Sequence, residues 1–219
     1  MSMRTAMVAV SSAFLLSGCV TVAGTPTWPG AVLAGSALTA TDFPAGVEYD
    51  AIRDEPGQPD GAGGPGSMMS RPAGCANALT NVIADSAERG PGSAVKYALG
   101  YDGARIVMTL LSWNLDLDKL RAAAERCARF EAFFDRDSPG IPITTTTLPG
   151  LEPDALAYQQ TMKLDEATSS VYMAFQNTGS RAVFGVAFPV PNPQIDAKSV
   201  LPQTFLDAFT RQVAKIRSS

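Results

Sequence analysis

The apolar positions of this chain fall into short blocks that switch between a period of two and a period near four. Cys75, Leu79, Val82 and Ile83 recur at helical spacing and predict a helix over 75–87, stopped by Gly90-Pro91-Gly92. Two β-rich runs, 95–100 and 105–111, flank Tyr101-Asp102-Gly103, where Asp-Gly suits a tight hairpin turn. In the second run Ile106, Met108 and Leu110 share one face and Val107 and Leu111 the other, so that strand has apolar groups on both sides. The longest helical pattern covers 115–134. Asp116 is its N-cap, Leu115 and Leu120 form a hydrophobic staple, and Leu117, Leu120, Ala124, Cys127, Phe130 and Phe134 make the stripe. Alternation then returns over 141–147, 155–164, 170–177 and 181–190, with a turn at Asn177-Thr178-Gly179-Ser180. Phe205, Phe209, Val213 and Ile216 mark a closing amphipathic helix over 201–217, and 47–52 reads as a further short strand.

Grouped helices and hairpins give an α+β class: an antiparallel sheet of about five to six strands with about three helices packed on one face. The domain is expected to span 37–219, with 53–74, loaded with Pro and Gly, as a mobile loop in which Met68 and Met69 could act as a flap over a ligand.

The first residues follow a different rule. Arg4 supplies a positive start, 6–16 is apolar, and Leu16-Ser17-Gly18-Cys19 has the form of a bacterial lipobox. The apolar run is shorter than the ~20 residues that span a bilayer. Residues 1–18 therefore read as a lipoprotein signal peptide, Cys19 as the lipidation site and 19–36 as a flexible tether. A diacylated Cys19 supplies the second chain that stable anchoring demands. The expected location is the outer, extracytoplasmic face of the cell membrane, held by lipid.

Cysteine usage follows from that location. With Cys19 lipidated, Cys75 and Cys127 remain, and outside the cytoplasm such a pair forms a disulfide or stays as two buried thiols. A bridge would close a loop worth roughly 4 kcal/mol in the chain-entropy account. The net charge of −4, one unit more negative once Arg4 is removed, argues against nucleic acid as a partner. The chain has no His. That removes the Ser-His-Asp and Cys-His triads and the favoured nitrogen ligand of metals. No cofactor, metal site or catalytic set is expected.

The remaining motifs weigh little. Ser93-Ala94-Val95-Lys96 matches S-x-x-K but runs into a hairpin rather than a helix. Asp116 and Asp118 lack the calcium-loop spacing and suit a helix start. Thr25, Thr27 and 144–147 could accept sugars, and Tyr158, Tyr172 and Trp113 could line a pocket or pack a sheet.

The lipobox, the tether, the opening Leu38-Thr39-x-x-Asp42-Phe43-Pro44-x-Gly46 and the helix-borne Cys75/Cys127 pair resemble cell-envelope lipoproteins of mycobacteria and related actinobacteria. The layout is similar to the extracytoplasmic sensor-like domain of some mycobacterial serine/threonine kinases. The resemblance implies a ligand-binding cleft and no catalytic residues. The expected function is a lipid-anchored, non-catalytic binding or sensor-like module whose partner is an envelope small molecule, lipid or protein. The alternatives are a lipid or glycolipid carrier and a carboxylate-dependent polysaccharide hydrolase.

Overall fold

The computed structural model describes residues 29–52, 68–87, 92–164 and 166–219. Its elements, in chain order, are α1 (Pro29–Ser36), β1 (Glu48–Ile52), β2 (Met69–Arg71), α2 (Ala78–Ala87), β3 (Ala94–Tyr101), β4 (Ala104–Leu111), α3 (Leu117–Arg126), β5 (Arg129–Phe133), β6 (Ile141–Thr147), β7 (Leu156–Leu164), β8 (Ala167–Thr178), β9 (Arg181–Phe188) and α4 (Gln203–Arg217). All nine strands join one sheet in the order β1-β3-β4-β9-β8-β7-β6-β5-β2. The pairings are antiparallel throughout.

Register explains where the helices go. Tyr97 lies opposite Met108, Met108 opposite Gly185, Gly185 opposite Ala174, and Ala174 opposite Ala157, so these residues form one row on one face. That face packs against Phe205, Phe209, Val213 and Ile216 of α4 and Leu33 of α1. Gly185 is where α4 comes closest: a Cβ there would sit 2.8 Å from Met108 Sδ and 2.8 Å from the Phe205 ring. Rows one residue out of step, with Leu111 opposite Ala182 and Phe175 opposite Phe184, point the other way. They pack with Phe130 and Ala132 of β5 against Leu79 and Val82 of α2 and Leu120, Ala123 and Ala124 of α3.

The expected sheet of five to six strands with about three helices on one face is therefore corrected, among the described residues, to nine strands and four helices, the helices divided between both faces. The apolar groups on both sides of β4 and β9 are the cause, because a strand with two apolar faces needs cover on each. Three local readings change with it. The helix expected over 115–134 ends at Arg126. The Cys127 carbonyl accepts the Thr145 hydroxyl, the Ala128 carbonyl accepts the Thr145 N–H, and the chain peels into β5. Phe130 is buried as a strand residue, whereas Phe134 is 72% exposed and lies outside the core. The tether expected over 19–36 gives way at Pro29 to α1, because Leu33 is buried in the sheet's first core. The loop expected over 53–74 contains β2, which pairs with β5; residues 53–67 lie outside the described residues. The start of α3 agrees with the sequence: Asp116 Oδ1 accepts the Lys119 N–H at 2.9 Å.

The opening motif closes the domain. Gln212 of α4 is fully buried; its Oε1 accepts the Leu38 N–H at 2.9 Å and the Tyr97 hydroxyl at 3.0 Å, and its Nε2 donates to the Ser36 carbonyl at 2.8 Å. One amide thereby satisfies the end of α1, strand β3 and the segment between α1 and β1. Beside it, Asp42 Oδ2 accepts from the Thr39 N–H at 2.6 Å and from Lys215 Nζ at 2.9 Å. The Asp42 carbonyl takes Arg211 Nη1 at 2.8 Å, and the same guanidinium lies 5.0 Å over the Phe43 ring. Gly46 has φ +86°, with Asp196 Cβ only 3.0 Å from where a side chain would start.

Gln212→Leu strands a buried N–H, hydroxyl and carbonyl, each worth about 1–3 kcal/mol when left unpaired. Urea unfolding should show a loss of at least about 3 kcal/mol at unchanged m-value; a loss under about 1 kcal/mol contradicts the clasp. The Thr39 N–H and Lys215 hold the Asp42 carboxyl at about 2, below its usual 3.8. The folded state thus takes up this proton less readily than the unfolded chain, so the network's contribution is complete above about pH 4 and is lost as pH falls toward about 2. The stability gap between wild type and Asp42→Asn should narrow across that window; a gap independent of pH excludes an ionic role.

Candidate functional site: the grooves beside α3

Cys75, just before α2, and Cys127, just after α3, are joined in a disulfide with a Cα–Cα distance of 5.4 Å. Cys75 is fully buried and Cys127 nearly so. The bond fastens the N-terminal end of α2 to the C-terminal end of α3. Small side chains border the space between these helices: Ala78 on α2, Ala122 and Ala123 on α3. Methyl groups cannot fill the space that Leu or Ile fill between close helices. A groove of about 360 Å³ results, lined by Gly74, Ala78, Asn81, Val82, Lys119, Ala122, Ala123 and Arg126.

The two cations stand two turns apart on α3 and reach the groove from one side. Arg126 Nη1 lies 3.4 Å from the Ala73 carbonyl and 3.9 Å from Cys75 Sγ, and Arg126 forms no ion pair among the described residues. The first turn of α2 carries no acidic residue. The positive end of its dipole is thus not offset from within the helix.

On the sheet side of α3 lies a second cleft of about 280 Å³, lined by Arg121, Ala124, Glu125, Ala128, Thr145, Thr147, Leu156 and Tyr158. Burial raises the pKa of the Tyr158 phenol. The Thr145 hydroxyl is already engaged, donating to Cys127 and accepting from Gln160.

No protein-family model matches this sequence. No curated protein matches it either. Among solved structures, an X-ray structure of a putative uncharacterised protein from Mycobacterium smegmatis aligns with 86% of this chain and 95% of its own, at 15% identity and a TM-score of 0.47. A likeness at that level assigns no role to any residue.

The structure distributes the residues singled out in the sequence. Tyr158 borders the second cleft, whereas Tyr172 and Trp113 are packed into the two cores on opposite faces of the sheet. Met68 packs against the second core and Met69 is exposed on β2. Ser93 precedes β3 and Lys96 lies within it, so the S-x-x-K spacing falls on strand, not helix. Asp116 caps α3 and Asp118 pairs with Arg121 at 2.6 Å. Thr145 is buried, and its neighbours Thr144, Thr146 and Thr147 are exposed on β6. Cys19, Thr25 and Thr27 lie outside the described residues.

Two carboxylates do converge elsewhere. Gln176 Nε2 donates to Glu152 at 3.1 Å and Asp154 at 3.0 Å, and Arg217 clamps Glu152 through both carboxylate oxygens. Arg217 holds Glu152 at about 2, so it stays ionised. The pair ties the β6–β7 connection to the end of α4.

Lys119 and Arg126 were not singled out in the sequence. The available signal was the pair Ala122-Ala123, small residues that leave the space beside α2 underfilled.

Proposed function

We propose that this protein is a lipid-anchored, extracytoplasmic binding module of the cell envelope, fixed to the membrane at Cys19 and taking its ligand in the groove between α2 and α3. The observation that carries the anchor is Leu16-Ser17-Gly18-Cys19 at the end of a short apolar run that begins after Arg4. Two features support the rest. A buried disulfide belongs to an oxidising compartment, such as the far side of a bacterial membrane. The groove falls within the range of small-ligand sites, roughly 300–1,000 Å³, and combines an apolar floor with a few polar groups.

A binding role is favoured over hydrolysis because glycoside cleavage needs a carboxyl that stays protonated near neutrality. Glu152, half of the converging carboxylate pair, is held in the opposite direction by Arg217. A carrier of long-chain lipid needs a large enclosed apolar cavity, and both clefts beside α3 are small and open to solvent.

The test is mass spectrometry of the N-terminal peptide, from protein made in a host that processes lipoproteins. The expected mature chain starts at Cys19 with a diacylglyceryl thioether and fractionates with membranes, and Cys19→Ser moves it to the soluble fraction. A mature chain beginning elsewhere, or a Cys19→Ser protein still bound to membrane, overturns the anchor.

A further inference from the structure

We infer that the groove between α2 and α3 binds a small anionic amphiphile, its single carboxylate or phosphate head at Arg126 and its short alkyl body along Ala78, Val82, Ala122 and Ala123. The inference rests on the binding role proposed above and names the ligand class for it. The cation at the head end runs against the charge of the chain. The net charge is −4, yet at the disulfide end of this groove the ionisable side chain lining it, among the described residues, is the cation Arg126. A guanidinium at one end of the groove attracts an anionic head.

The head is assigned to the Arg126 end. The guanidinium there carries five donors, and only two long contacts from one nitrogen, at 3.4 and 3.9 Å, engage them. A planar fork with donors to spare suits the bidentate geometry of a carboxylate or phosphate. The N-terminal end of α2, without an acid in its first turn, adds to the positive potential at that end. The disulfide fixes both elements there, so the head site is held by a covalent staple.

The body follows from the floor. Ala78 and Ala123 are buried, as is Val82, and they present methyl groups with no polar atom for a ligand to satisfy. Alkyl carbons gain by covering them. At about 360 Å³ the groove is sized for one short chain.

The test uses the whole mature chain made soluble by Cys19→Ser, with decanoate, decyl phosphate, decanol and inorganic phosphate as probes below micelle-forming concentrations. Binding is followed by calorimetry and by amide chemical shifts in α2 and α3. Decanoate and decyl phosphate should bind, with shifts centred on Ala78 and Ala123. Decanol and inorganic phosphate should each bind at least about tenfold more weakly, since each lacks one half of the match. Arg126→Gln, at an exposed position, should weaken both anionic probes about 10- to 100-fold. Ala122→Trp should block them; if that variant unfolds, Arg126→Gln decides. Decanol binding as tightly as decanoate, inorganic phosphate binding as tightly as decyl phosphate, or affinity unchanged in Arg126→Gln overturns the inference. So do shifts that map elsewhere. If no probe binds but an envelope extract shifts the groove amides, the ligand class is wrong and the binding role stands. If neither probe nor extract perturbs the groove, both fall.

Discussion

The bond between Cys75 and Cys127 is the constraint on which the second face of this sheet depends. It closes a loop of 52 residues and holds together two ten-residue helices. Helices of that length are marginal alone. Where the groove runs between them, the lining of alanine methyls at Ala78, Ala122 and Ala123 supplies little burial. The chain-entropy account credits a loop of this size with about 4 kcal/mol, which is comparable to burying two large apolar side chains. Small residues and a covalent staple therefore belong together: the staple allows the interface to stay underfilled, and the underfilled interface is the groove.

The first face is held differently. There, large side chains from α4 fill the space over β4, β8 and β9, and a single buried amide, Gln212, binds the segment after α1 to α4 and β3. The opening motif Leu38 to Gly46, which carried the resemblance to envelope lipoproteins, serves this closure: its polar groups are spent on α4 and on its own turn. The two faces thus divide their work. One is packed tightly around a polar clasp, and the other leaves open space bordered by cations.

How much of this was legible depended on whether two periodicities competed. The β3–β4 hairpin was readable because Asp102-Gly103 leaves no alternative to a tight turn, and α4 because its four large apolar residues fit only a helix. Phe130-Glu131-Ala132-Phe133 fits both periods, and it follows a strong helix, so its switch to strand was hidden. What decides it is a partner distant in sequence, β6, through Thr145. β2 has three residues and lies beside Pro and Gly, so its strand character comes wholly from pairing with β5. α1 was hidden by Pro29, Gly30 and Gly35; among its described side chains, Leu33 is the apolar one buried in the core. The groove was less legible still, because absence of bulk on one helix means nothing until its neighbour is known. The two cysteines were the readable part of the site, and they mark one end of it.

The claim at the centre is that Cys75 and Cys127 are covalently joined in the protein as it exists in its own compartment. The direct measurement is thiol alkylation of exported protein, before and after reduction, read by the mass of the intact chain. The account predicts no alkylation at either position until a reductant is added under denaturing conditions, and then two added groups. Two alkylated cysteines in unreduced, denatured protein would remove the staple, and with it the basis for the groove and for the oxidising location.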